Sequence, residues 1–98
     1  MPQQKVLPEQ TSVKVYKIPG DNPPADTKEF KEVKHDHYSV TTTRPLEISD
    51  PNVRLIRQSV RGEPMLVILT YHAGKLRNVM NLSDWDPEAS FKLEKATD

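Results

Sequence analysis

The sequence predicts a small, mostly β single domain, built as an antiparallel sheet or barrel. Three observations carry that reading. Apolar residues concentrate in the middle third, with 15 of 30 in residues 53–82 against 14 of 52 before and 5 of 16 after. That stretch holds three runs of seven or eight residues, Val53 to Val60, Met65 to Tyr71 and Leu76 to Leu82. They are separated by Arg61-Gly62-Glu63-Pro64 and His72-Ala73-Gly74-Lys75, two glycine-bearing turn candidates, which is the spacing of a β-meander. Upstream, Ser12 to Ile18 alternates polar with β-branched or aromatic residues, as a half-buried strand does.

Chain order gives the remaining elements. Residues 1–11 are proline- and glutamine-containing with little apolar content and read as a flexible tail ahead of a domain at 12–82. Pro19 to Asp26 packs three prolines and a glycine into eight residues, so neither ladder nor helix continues, and 19–27 is a proline-rich loop. Lys28 to His37 has only Phe30 and Val33 as apolar residues and fits a helical turn as well as a ragged strand. Tyr38 to Arg44 has β-propensity, Pro45 interrupts it, and Leu46 and Ile48 are candidates to resume the same edge.

Met65 to Tyr71 is apolar on both faces, which calls for a central strand covered on both sides. Residues 51–61 admit a second reading, in an α+β fold, as a helix. Asp50 is then the cap, Pro51 the first residue, and Arg57, Arg61 and Gly62 the C-terminal end. Residues 83–98 form an acidic C-terminal segment, either a short helix opening at Asp86-Pro87-Glu88 or a disordered tail.

At 98 residues the chain has room for one small core and is too short for a large enzyme fold. Hydrophobic content of 35% and nine prolines point to loose segments. Fourteen basic residues balance fourteen acidic ones, so net charge selects no partner. Charge is nevertheless uneven, with five basic and one acidic residue in 53–82 and two against five in 83–98. Absence of cysteine removes disulfides, thiolate nucleophiles and Cys-containing zinc sites, and fits an intracellular or viral protein. With neither a signal-peptide h-region nor an apolar run of membrane-spanning length, the expected setting is the cytoplasm, or a host-cell cytoplasm or virion, with no membrane.

Chemistry has few candidates. On a strand, His35 and His37 point to one face about 6.6 to 6.8 Å apart, with His72 as a distant third nitrogen. A metal site needs convergent ligands that this pattern does not supply, so no metal and no cofactor are expected. There is no G-x-S-x-G, S-x-x-K or phosphate-cradling glycine loop, and no enzyme is expected.

Two binding surfaces remain. Trp85, with Phe91 and Leu93, is either a cap on the core or an anchor for a protein partner. Arg54, Arg57, Arg61, Lys75 and Arg77 form a basic patch suited to phosphate or carboxylate. The function read from the sequence is therefore a small non-enzymatic protein-interaction module: a regulator, inhibitor or assembly subunit of the phage or viral accessory kind. A homodimer through an edge strand is a further expectation. The alternative is a small β-barrel that binds nucleic acid through the basic patch in 54–77.

Overall fold

A computed structural model describes residues 9–20 and 22–97, apart from the side chain of Val60. Among these residues the chain folds into six strands: β1 (Glu9–Lys17), β2 (His35–Thr42), β3 (Val53–Val60), β4 (Glu63–His72), β5 (Lys75–Asn81) and β6 (Ser90–Ala96). A 3-10 helix (Thr27–Glu32) lies between β1 and β2, and a one-turn helix α1 (Leu82–Trp85) precedes β6. The strands form one sheet in the order β5-β4-β3-β1-β2-β6. Neighbours are antiparallel except β1 and β3, which run parallel over only Val15 to Lys17 against Leu55 to Arg57. The fold is thus mostly β, and it is an open mixed sheet rather than a closed barrel.

The meander at 53–82 forms as its hydrophobic spacing requires, with tighter turns than the four-residue candidates. Val60 pairs with Glu63 and His72 with Lys75, leaving two-residue turns at Arg61-Gly62 and Ala73-Gly74. All four residues have positive φ, at 54° and 83° and at 51° and 79°. That is the type I′ geometry whose twist matches the flanking strands. Pro64 falls inside β4, where the missing N–H is harmless because pairing with β5 begins only at Val67.

Residues 51–61 are a strand and not the alternative helix. Leu55 and Ile56 are both fully buried, and successive strand side chains point to opposite faces. Asp50 closes a turn instead of capping a helix: its Oδ1 accepts from Asn52 N at 2.8 Å and its carbonyl from Val53 N at 3.0 Å.

Each face carries its own core. The front face buries Val13, Val15, Tyr38, Val40, Leu55 and Leu66, and the back face Ile56, Val67, Leu69 and Tyr71. Burying such side chains contributes about 1.5 to 3 kcal/mol each. β4 is therefore covered on both sides, as its composition demands, but by loops over a single sheet. Leu46 and Ile48 do not resume β2; with Trp85 and Ala89 they cover the front face as the chain crosses β1. On the back face, residues 22–34 reach across to β5 and return to the sheet at β2. Thr27 N donates to the Gly74 carbonyl at 3.1 Å, Leu76 N to Ala25 at 3.1 Å, and the buried Tyr71 Oη to Pro24 at 2.7 Å.

Residues 9–11 and the C-terminal segment differ from the reading as loose segments. Glu9 to Thr11 already belong to β1, paired with Val40 to Thr42, while residues 1–8 of the expected tail lie outside the described residues. The acidic C-terminal segment is neither disordered nor simply helical. After the four residues of α1 it becomes β6, because Phe91 alternates onto the front core and the free edge of β2 supplies its ladder. The ambiguous stretch 28–37 splits into the end of the 3-10 helix and the start of β2.

Candidate functional site

The sequence Thr-Lys-Glu-Phe-Lys-Glu repeats its character every three residues, and a 3-10 helix has three residues per turn. Three rows result. Phe30, with Thr27 one turn earlier, turns to the sheet; Lys28 and Lys31 form a basic row; Glu29 and Glu32 form an acidic one. Asp26 caps the helix, its Oδ1 accepting from Lys28 N at 2.8 Å. That amide, with Lys75 at 3.5 Å, holds the carboxyl of Asp26 below its usual range. Lys28 and Lys31 line a cavity of about 370 Å³ together with Tyr16, Thr27, Phe30 and Arg54, while Glu29 faces a different cavity beneath the prolines.

A second cavity, of about 340 Å³, adjoins the first through Tyr16 and Arg54, which line both. It exists because β1 and β3 pair over three residues and then splay, so that Lys14, Arg54, Leu55, Val53 and Ile48 border a slit in the sheet. Arg54 spans the junction. One terminal nitrogen donates to the Val53 carbonyl at 3.0 Å, and the guanidinium lies 5.9 Å from the centroid of Phe30. Its Nε is buried with no hydrogen-bond partner among the described residues.

Rings run across this face in sequence. His37 and His35 have centroids 5.2 Å apart, His35 and Tyr16 6.3 Å, Tyr16 and Phe30 4.7 Å, and Phe30 and Tyr71 5.8 Å. Phe30 and Tyr71 are buried, and burial pushes the Tyr71 phenol up to about 12. Tyr16, His35 and His37 are half-buried and keep a solvent-facing side. Lys14 lies directly opposite His37 in the β1–β2 ladder, a like-charge pairing whenever the imidazole is protonated. Burial, then Lys14 and His37, lower the pKa of His35.

The ion pairs among the described residues lie elsewhere: Lys17 with Asp36 at 3.2 Å and Lys75 with Asp26 at 3.5 Å. Asp36 points to the face opposite its histidine neighbours. Burial alone would raise its pKa, but the Thr97 amide and Lys17 outweigh it and hold the carboxyl low. His72 stands exposed at the far end of β4, and no group of three His, Asp or Glu able to hold a metal occurs among the described residues.

The five-residue basic patch is not assembled. Arg54 enters the cleft, Arg57 is exposed on the other face of β3, and Arg61 sits in the β3–β4 turn. Lys75 and Arg77 belong to β5, with Lys75 at the opposite end of β4 from Arg61. Trp85 is a cap: it packs on the front core, Arg44 covers its ring at 4.8 Å, and its carbonyl accepts from the same arginine at 2.7 Å. Phe91 lies 6.0 Å from Tyr38, and Leu93, 47% exposed, pairs with Tyr38 on the edge strand.

Lys14, Tyr16, Lys28 and Lys31 were not among the residues singled out by sequence. The triplet period of 27–32 and the polar, aromatic side of β1 were the signals for them. No helix among the described residues is long and apolar enough to cross a membrane. No family model, curated protein or solved structure matches the chain.

Proposed function

We propose that the protein is a small non-enzymatic binding module whose back-face cleft takes a polyanion. One observation carries this reading. Lys14, Lys28, Lys31 and Arg54 converge on two adjoining cavities, and none of them has an ion-pair partner among the described residues. Four cations brought this close repel one another, and an anionic ligand removes that repulsion while releasing its own counterions. A cytoplasmic or other intracellular setting is where such ligands are abundant.

The test is fluorescence polarisation with labelled polyphosphate and labelled oligonucleotides across a salt series. Four neutralised phosphates give a log–log slope of about −3, or a loss of roughly fifty- to hundred-fold in affinity between 50 and 200 mM salt. Absence of binding at the low end of the series rejects the proposal.

A second reading rests on Leu93, 47% exposed on edge strand β6. An exposed apolar residue on a free edge favours a protein partner, or a second copy, adding a strand there. It ranks second because the edge is blunted: Glu94 is the extra residue of a bulge between the pairs Tyr38–Leu93 and His37–Lys95, with Lys92 beside it. Sedimentation showing a monomer at high micromolar concentration removes the self-association form of this reading.

A further inference from the structure

Resting on the polyanion reading, we infer that the ligand is a single-stranded nucleic acid, its bases stacked on Tyr16, His35 and His37 and its phosphates held by the cations that flank those rings. Charge selects only an anion; the rings select among anions. Polyphosphate and the carboxylates of acidic peptides offer no aromatic face to stack on them, whereas every nucleobase has a π face.

The ring geometry separates single strands from duplexes. Neighbouring centroids are 5.2 and 6.3 Å apart and the rings stand at 82° and 60° to each other. They offer separate faces rather than one flat plate. Bases stacked in a duplex rise about 3.4 Å per step and expose edges, not faces. Bases of an unpaired strand turn independently and can each stack on the solvent-facing side of one such ring.

Cations stand on both flanks of the row. On one side Lys28, Lys31 and Arg54 border the cavities that Tyr16 shares. On the other, Lys92 and Lys95 of β6 lie in register with Ser39 and His37 of β2. Lys14 stands between them, opposite His37. A strand crossing the sheet from β6 to β3 meets positive charge at each end of the rings. Glu94 is a carboxylate on that path, and its Oε2 accepts from Ser12 Oγ at 3.5 Å.

The experiment uses the full chain and four labelled probes: an oligo-U RNA, an oligo-T DNA, a mixed-sequence duplex and polyphosphate. The inference expects both single strands to bind more tightly than duplex or polyphosphate, and the RNA and DNA arms to report any sugar preference. Tyr16→Leu should weaken single-strand binding about 5- to 150-fold, and by more than it weakens polyphosphate binding. Tyr16→Phe, which keeps the ring, should retain wild-type affinity. His37→Ala, at an outward-facing position, should repeat the loss if Tyr16→Leu fails to fold. Equal affinity for all four probes, or equal losses for nucleic acid and polyphosphate in the ring variants, overturns the inference and leaves a polyanion site standing. No binding by any probe overturns the polyanion reading itself.

Discussion

The front and back faces of the sheet are both closed by loops, yet the two covers are held by opposite chemistry. On the front, Asp86 is 1% exposed and its carboxylate accepts from Thr43 N at 2.7 Å, Thr43 Oγ1 at 2.9 Å and Glu88 N at 3.1 Å. One anion thereby ties the β2–β3 crossing to the segment after α1 through three hydrogen bonds. On the back, the cover is held by an apolar side chain, Phe30, and by backbone bonds to the β4–β5 hairpin, while Lys28, Lys31 and Arg54 beside it form no ion pair within 4 Å among the described residues. A satisfied buried charge is structural. The converging cations of the back face are what the polyanion proposal rests on.

That contrast breaks most visibly at Phe30. Phe30→Ala removes the only buried apolar side chain of the 3-10 helix and the ring under Arg54, and should cost about 3 to 5 kcal/mol by urea unfolding. Oligonucleotide affinity should fall in the same variant, because the basic row loses its anchor.

Acid tests the front face. Hydrogen bonds from Thr43 hold the Asp86 carboxyl below its ordinary value of 3.8 despite burial, and Asp36 is likewise held low. A depressed folded-state pKa stabilises the fold above the unfolded value, and that stabilisation disappears as pH falls through the folded value. Melting temperature should therefore drop steeply below about pH 4. Asp86→Asn should melt lower than wild type at neutral pH and show a flatter acid limb; an unchanged limb would show that Asp86 contributes nothing to it.

Smaller effects sharpen the comparison. Ala73 has a φ of 51° in a type I′ turn that favours Asn-Gly, so Ala73→Asn should stabilise by about 1 kcal/mol without altering binding. Leu93→Lys, on the exposed edge, should stay within about 0.5 kcal/mol of wild type and leave oligonucleotide binding intact. A large loss of self-association in that variant would instead promote the edge strand.

Local pattern was enough for what depends on neighbours in sequence. Alternation in 12–18, the apolar run 65–71 and the glycines at 62 and 74 specify strands and turns, because side-chain period and positive φ are properties of a few consecutive residues. The i, i+2 placement of His35 and His37 on one face was legible for the same reason. Whether 51–61 is strand or helix was not, since its caps suit a helix and only pairing with both β1 and β4 outweighs them. Nor was β6, which needs the free edge of β2.

The cleft is entirely a product of tertiary structure. Arg54 and Lys14 are 40 positions apart and meet only because β1 and β3 are parallel neighbours that splay. The arginine cluster visible along the chain is dispersed for the complementary reason: strands carry side chains to alternate faces and turns to opposite ends of the sheet, so closeness in sequence is not closeness in space.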